Sequence, residues 1–330
     1  MEEKETQEVK SPLKEEEKLS MDESLGLIKL EENVSLDAFA KKVEESRSEF
    51  YKAYSKQRKL SNILMPVVGL LMAGCFVLLM AVRELWSYVV GGSVMGATLI
   101  GMFIFYIVTR KKLPDLSRKY LESFAVASNS YVTSISGVDN QRLYFKKRYS
   151  VADFLPDRIY KDIVDIASRN VVVFDYKKRS IEMGEVALYK QGEKRHQKQL
   201  LFVGRHLSFT NDYHFEDRYI IRISGKDNVD APTDIEDLVV LKEQNKFAIY
   251  GKDGAKFEKD LGKDVINDLM SIECGSSLLN VNIVLWAGRT SIYFSYDDAI
   301  VTIPLEKEMK KESYKLLKKN VTDVLEILVK

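Results

Sequence analysis

Two apolar runs that almost touch constrain this chain more than any other feature. Ile63 to Val82 is twenty residues without a charge, and Leu85 to Thr109 is twenty-five, with only Arg83 and Glu84 between them. A bilayer core of about 30 Å takes roughly 20 apolar helical residues to cross. Soluble cores rarely contain two uninterrupted runs of this length in succession. The pattern predicts a transmembrane hairpin over 62–109, with spans 63–82 and 85–109.

The flanking charges orient it. Lys and Arg near span ends stay on the cytoplasmic side. Arg47, Lys52, Lys56, Arg58 and Lys59 precede the first span, and Arg110, Lys111, Lys112, Arg118 and Lys119 follow the second. The turn holds Arg83 alone. Both termini are therefore expected in the cytoplasm, with the tip near Arg83–Trp86 outside. This is the layout of a multi-pass plasma-membrane protein. Trp86 and Tyr88 at the tip and Tyr106 near the other end suit the lipid–water boundaries, as do Arg110, Lys111 and Lys112. Pro66 falls in the first turn of its span, where a missing N–H costs little. The apolar region begins some sixty residues in, behind a charged segment, unlike a signal peptide.

Neither span carries an interior charge, which speaks against a pump or channel and for an anchor. Gly92 and Gly96 form a GxxxG pattern, and Ala97 with Gly101 and Gly69 with Ala73 repeat the small-residue spacing. Such rows allow close backbone approach, between the two spans of one chain or between copies in a homodimer.

The chain is nearly neutral, with 50 basic and 49 acidic residues, but the charge is uneven. Residues 1–33 hold eleven acids and five bases, and residues 141–199 hold fourteen bases and eight acids. Residues 1–34 read as an acidic, largely disordered tail. The basic stretch is either solvated hairpin surface or a contact with an anionic inner leaflet. The predicted topology keeps Cys75 and Cys274 apart, so no disulfide is expected, in keeping with a reducing cytoplasm.

Residues 35–61 read as a cytoplasmic helix opened by Ser35, with Leu36, Phe39, Ala40, Val43, Phe50, Tyr51 and Tyr54 on one face. Residues 110–330 read as a cytoplasmic domain. A helix is expected from Pro114 to about Ser128, then an extended segment from Tyr131 and a turn at Gly137. Ser150 and Asp153 resemble a capping box. Ile159, Ile163 and Ile166 suggest a helix over 157–168. Strands follow at Val171–Phe174, then at Ile181–Leu188 after a turn at Lys177–Arg179. More strands are expected at Leu200–Gly204, His206–Phe209, Arg218–Ile223, Leu238–Leu241, Phe247–Tyr250, Val281–Trp286, Ser291–Ser295 and Ile300–Ile303. Lys263–Glu273 and a stretch from about Glu306 are helical, the latter with Tyr314, Leu317, Val321, Val324, Leu325 and Leu328 on its apolar face. The fold class is α+β: a transmembrane hairpin plus a mostly antiparallel sheet with covering helices.

The order of elements resembles a bacterial family catalogued as domain of unknown function 3137. The residues that carry the likeness are Ser35-Leu-Asp-Ala-Phe before the spans, Ser150-Val-Ala-Asp-Phe-Leu after them, Ile181-Glu-Met-Gly-Glu-Val, Leu201-Phe-Val-Gly, Phe247-Ala-Ile-Tyr-Gly-Lys-Asp and Ile292-Tyr-Phe with Ile300-Val-Thr-Ile-Pro-Leu. Leu201-Phe-Val-Gly-Arg lacks the fuller glycine and aromatic pattern of that strand. The resemblance implies a bacterial membrane anchor and no activity. It also implies a LemA-type membrane protein as a partner.

His206 and His214, with Asp212, Glu216 and Asp217, are the best metal candidates, without HExxH or CxxC spacing. Cys274-Gly-Ser-Ser offers a thiol, or a helix end before a glycine cap. GxSxG, Walker and GxGxxG motifs are absent. Asp297-Asp298 reads as a turn. Lys194-Arg-His-Gln-Lys is basic, but its neighbouring aromatics fall at strand-core positions, which disfavours nucleic acid. No catalytic residue, metal or cofactor is expected. The leading expectation is a membrane-anchored, non-catalytic interaction or scaffold module with a protein partner. A second is a small-molecule or lipid-binding regulatory domain with a cavity lined by Phe174, Phe202, Trp286 or Tyr293. A third is an enzyme in which His206, His214 or Cys274 converges with carboxylates.

Overall fold

The computed structural model describes residues 24–81, 85–193, 197–211, 215–225, 236–244, 246–275, 278–296, 305–309 and 311–329. They form two compact units. One takes in the chain up to Phe39, Val126–Ile303 and Lys310–Lys330, and the other takes in Ala40–Ala125 and the short segment that ends at Met309.

The first unit is built on a ten-stranded antiparallel sheet. Its strands are β1 (Leu27–Lys29), β2 (Val138–Tyr144), β3 (Ile163–Tyr176), β4 (Arg179–Gln191), β5 (Lys198–Thr210), β6 (Tyr219–Ser224), β7 (Val239–Gln244), β8 (Phe247–Gly251), β9 (Leu278–Trp286) and β10 (Arg289–Tyr296). Their order across the sheet is β1-β2-β3-β4-β5-β10-β9-β6-β8-β7. Two tight turns set the register. Tyr176 pairs with Arg179 around Lys177 and Lys178, both at positive φ. Trp286 pairs with Arg289 around Ala287 and Gly288, again both at positive φ. Two consecutive positive φ values are the mark of the type I′ turn, whose twist matches that of the strands it joins. The stretches at Leu200 and His206, expected as two strands, are one continuous β5. The expected strand at Ile300–Ile303 and most of the loop at 225–236 lie outside the described residues.

Core residues come from alternate positions of the strands. Val186 and Leu188 of β4, Phe202 of β5, Ile220 of β6, Tyr250 of β8, Val284 of β9 and Tyr293 of β10 pack into one cluster with Phe154 and Ile159. Three helices add apolar faces. Helix α3 (Gly254–Leu261) starts at Asp253, whose Oδ1 accepts from the Ala255 and Lys256 amides at 2.9 and 3.1 Å. Helix α4 is Lys263–Met270 and helix α5 is Lys311–Leu328, with all six expected apolar residues of α5 buried. Phe39 stacks on Tyr131 at 5.0 Å and meets the edge of Tyr314 at 5.2 Å, which ties helix ends from distant parts of the sequence into this core.

Two long helices, α4's predecessors in the chain, are α1 (Leu36–Ala81) and α2 (Leu85–Thr133). Three readings of the sequence need correction. First, α2 contains Pro114 and continues through Tyr131–Thr133, a stretch expected to be extended. Asn129, Ser130 and Thr133 are weak helix formers, but tertiary contacts override that preference. Val132 is fully buried, and Thr133 Oγ1 lies 2.7 Å from both the Asn129 carbonyl and Gln141 Oε1. Second, residues 157–168 are not a helix. Arg158 and Asp162 sit at positive φ, and Ile163 and Ile166 belong to β3. Third, α3 occupies Gly254–Leu261, where the motif Gly251-Lys-Asp-Gly-Ala-Lys reads in sequence as a turn after β8.

The second unit is made from α1 and α2. Ser46 and Ser123 hydroxyls meet at 3.0 Å, and Phe50 meets Tyr120 edge-on at 6.5 Å. Arg47 Nη1 donates to the Leu305 carbonyl at 3.2 Å, and Arg58 pairs with Glu306 at 2.9 Å. Burial pushes the Tyr120 hydroxyl up to about 12. Both helices are long and apolar enough to cross a membrane, and only 6% of the most apolar window of each is buried. Ile63, Leu70, Met80, Ile100 and Phe103 are all exposed.

Candidate functional site

The most concentrated polar chemistry of the first unit surrounds Asp157. A short 3-10 turn, Leu155–Asp157, ends where Arg158 turns into the left-handed region, and this directs the carboxylate inward. Arg289, Ser291 and Tyr293 alternate along β10, so they share one face of the sheet. His206 of β5 stands directly opposite Tyr293 in the register. Asp157 thus accepts from the Ser291 hydroxyl at 2.9 Å and from the Tyr293 hydroxyl. Arg289 Nε lies 3.8 Å from the same carboxylate and donates to Ser291 Oγ at 3.0 Å. His206 Nε2 is 3.7 Å from Asp157 Oδ2, too far for a hydrogen bond.

Aromatic rings enclose the imidazole. Phe154, Tyr293 and Tyr149 have centroids 4.8, 4.9 and 5.7 Å from that of His206. The Tyr149 ring can lie there because Gly184, the register partner of His206, has no side chain; a β-carbon on Gly184 would come within 2.6 Å of it. Burial acts to raise the Asp157 carboxyl, but His206, Arg289 and the Tyr293 hydroxyl outweigh it and hold the acid below its ordinary value. Burial, then the Asp157 charge, pushes the Tyr293 hydroxyl well above its own. Tyr293 therefore remains a donor and Asp157 an acceptor throughout the neutral range.

Side chains of these types can run acid–base chemistry, but their arrangement here does not favour it. Ser291 donates to Asp157 and not to His206, so no serine nucleophile faces a histidine base. Asp157, His206, Ser291 and Tyr293 are each at most 3% exposed, which leaves no surface for a substrate. The cluster is a polar tie between the 155–157 turn and strands β5 and β10. A second buried pair, Glu185 and Arg205, joins β4 to β5 at 3.7 Å, and Glu185 also accepts from Arg169 Nε at 2.6 Å and Asn170 Nδ2 at 3.1 Å.

The residues singled out in the sequence are scattered. His206 meets Asp157, while His214 and Asp212 lie outside the described residues. Glu216 pairs with Lys256 at 2.6 Å, and Asp217 lies 3.7 Å from Lys252. Among the described residues no three His, Cys, Asp or Glu side chains are grouped to hold a metal ion. Cys274 does not end a helix, because α4 stops at Met270. It borders a cavity of about 600 Å³, and burial pushes its thiol up to about 11, the opposite of an activated nucleophile. The residues named for a ligand cavity are mostly packed: Phe174, Phe202 and Tyr293 are buried, and the Phe202 and Tyr293 rings meet at 5.4 Å. Asp297, Asp298, Lys194, Arg195 and His196 lie outside the described residues.

In the second unit Trp86, Tyr88 and Tyr106 are each more than half exposed, and Lys112 is exposed. The side chains of Arg110 and Lys111 lie outside the described set, as does Arg83. A β-carbon on Gly69, Gly92, Gly96 or Gly101 would meet nothing within 4 Å beyond its own helix, and Ala73 is exposed. The Asp157 and Glu185 clusters were not foreseen. Their signal in the sequence is the run of polar residues at alternate positions of strands that are otherwise apolar.

No family model matches the sequence, and no curated protein matches it. The crystal structure of the mycobacterial trehalose monomycolate transport factor A, TtfA, aligns over 50% of this chain and 76% of its own, at 10% identity and a TM-score of 0.31. A likeness at that score carries no argument about fold or activity.

Proposed function

We propose that this chain is a membrane-anchored interaction module. Its two apolar helical stretches cross the plasma membrane of a bacterial cell, both termini face the cytoplasm, and the sheet domain binds a protein partner there without catalysing a reaction. The observation that supports this best is the exposed apolar surface of α1 and α2, from Ile63 to Met80 and from Val89 to Val108. Water-facing surfaces do not carry apolar patches of that extent without a partner or a bilayer. The five–one–five distribution of bases around the spans supports the orientation. The likeness to domain of unknown function 3137 supports a bacterial setting and a LemA-type membrane protein as the first partner to test.

The interaction surface is best sought at β7. It ends the sheet order among the described residues, and Val239 and Val240 are 59% and 51% exposed. An open apolar edge strand is suited to pairing with a strand from another chain. The ligand-sensing alternative draws less support, because Phe174, Phe202 and Tyr293, three of its four named residues, lie in a packed core.

The test is alkaline extraction of native membranes, followed by brief cross-linking of the full chain and of a Val240→Lys variant. Retention in the membrane, with a stoichiometric partner captured by the native chain and lost in the variant, supports the proposal. Release into the soluble fraction overturns the anchor, and equal capture by both chains overturns β7 as the surface.

A further inference from the structure

We propose that the groove between α1 and α2, beside the spans, is a binding site for one anionic phospholipid. It rests on the anchor reading above. The groove lies wholly within the second unit and has a volume of about 660 Å³. Leu60, Phe105, Val108 and Leu116 supply its apolar wall, and Lys56, Lys112 and Lys119 supply three cations. The one acid on the wall, Asp115, is already paired with Arg118 at 3.3 Å. Among the described residues Lys56, Lys112 and Lys119 have no ion-pair partner. Three cations line one groove whose single acid is held by Arg118, and apolar side chains border them. A phosphate headgroup with acyl chains complements both surfaces.

The level along the helices fits for Lys112, and for Lys56 through its stem. At a rise of about 1.5 Å per residue, Lys112 stands roughly 5 Å beyond Thr109, Lys56 roughly 10 Å before Ile63 and Lys119 roughly 15 Å beyond Thr109, so the three cations run outward from the headgroup level. The headgroup layer is about 5–7 Å deep on each side of the hydrocarbon, and a lysine stem reaches back towards it. Phe105 and Val108 stand inside the hydrocarbon boundary, where acyl chains begin, and Leu60 stands roughly 5 Å outside it.

The experiment is native mass spectrometry of the full chain in mild detergent, supplied with equal amounts of phosphatidylglycerol and phosphatidylcholine. One phosphatidylglycerol is expected to stay bound with roughly tenfold preference over phosphatidylcholine. The triple variant Lys56→Gln, Lys112→Gln, Lys119→Gln should abolish that preference. The variant Lys41→Gln, Lys52→Gln, Lys59→Gln removes as much charge outside the groove and should keep it. Equal loss in both variants, or no preference in the native chain, overturns the proposal. Flotation of the full chain with phosphatidylcholine vesicles separates the two readings: a chain that floats without lipid preference keeps its anchor and loses the site, and a chain that does not float loses both.

Discussion

Replacing Asp157 by alanine tests whether the buried cluster is a structural tie. The substitution removes the acceptor for two buried hydroxyls, Ser291 and Tyr293, and the counter-charge beside His206 and Arg289. Orphaning the Tyr293 hydroxyl costs about 1–3 kcal/mol, as a buried polar group left unpaired. Ser291 keeps Arg289 as a donor and loses only the acceptor for its own proton, a further ~1 kcal/mol. The sum, about 2–4 kcal/mol, is a large part of the 5–15 kcal/mol typical of a folded domain. The assay is urea unfolding of the full chain in nanodiscs, read by Trp286 fluorescence in a Trp86→Phe background. Tyr293→Phe alone should cost less, and the double variant should recover about 1–2 kcal/mol of the summed losses, because the two groups are each other's partners. A loss below about 1 kcal/mol for Asp157→Ala, or a double variant additive to within ~0.5 kcal/mol, would refute the tie.

Acid should act through the same carboxylate. Its folded-state value lies below the ordinary 3.8, so its contribution is complete above that value and is lost as pH falls through the lower one. The native chain should therefore lose stability more steeply than Asp157→Asn below pH ~4, and parallel acid titrations would exclude the effect. Gly204→Ala should cost about 3 kcal/mol in the urea assay, since its β-carbon would overlap the carbonyl oxygen of Phe294 on the paired strand and backbone there cannot give way. Gly101→Ala, which meets nothing, should leave the transition of the sheet domain unchanged. Cys274 should react with iodoacetamide at pH 8 about 100-fold more slowly than in the urea-unfolded chain, because a thiol raised to about 11 holds little thiolate there. Peptide mass spectrometry in a Cys75→Ser background reads it, and equal rates would contradict the burial argument.

Local patterns made much of the sheet legible. Alternation from Ile181 to Met183 and the bases at Lys177 and Lys178 fixed a strand and a turn that recur in the structure. The failure at 157–168 has a definite cause. Ile159, Ile163 and Ile166 are spaced four and three apart, as on a helix. In the structure Ile159 precedes β3, and a register shift between Ile163 and Asp165 breaks the strict alternation of the strand, so Ile163 and Ile166 stand at a helix-like spacing. Helix α3 was hidden for a different reason: its first residue is Gly254, and the Asp253 cap that starts it is equally at home in a turn. The continuation of α2 past Asn129 depends on Phe39, almost a hundred residues earlier, and no local window contains that information.

The Asp157 cluster marks a deeper limit. Its members stand at 157, 206, 289, 291 and 293, and nothing in their separations signals convergence. Tertiary pairing of β5 with β10 brings His206 opposite Tyr293, and a short turn then supplies the carboxylate. Even in place, the residue types alone would have suggested the wrong conclusion, since an aspartate, a histidine, a serine and a tyrosine are common parts of active sites. Burial and hydrogen-bond direction decide between the readings. A serine that donates to the acid is not activated by the base, and a histidine sealed by Phe154, Tyr149 and Tyr293 meets no substrate. Groups open to partners lie outside this cluster, at the exposed β7 edge and along the lysines of the groove between α1 and α2.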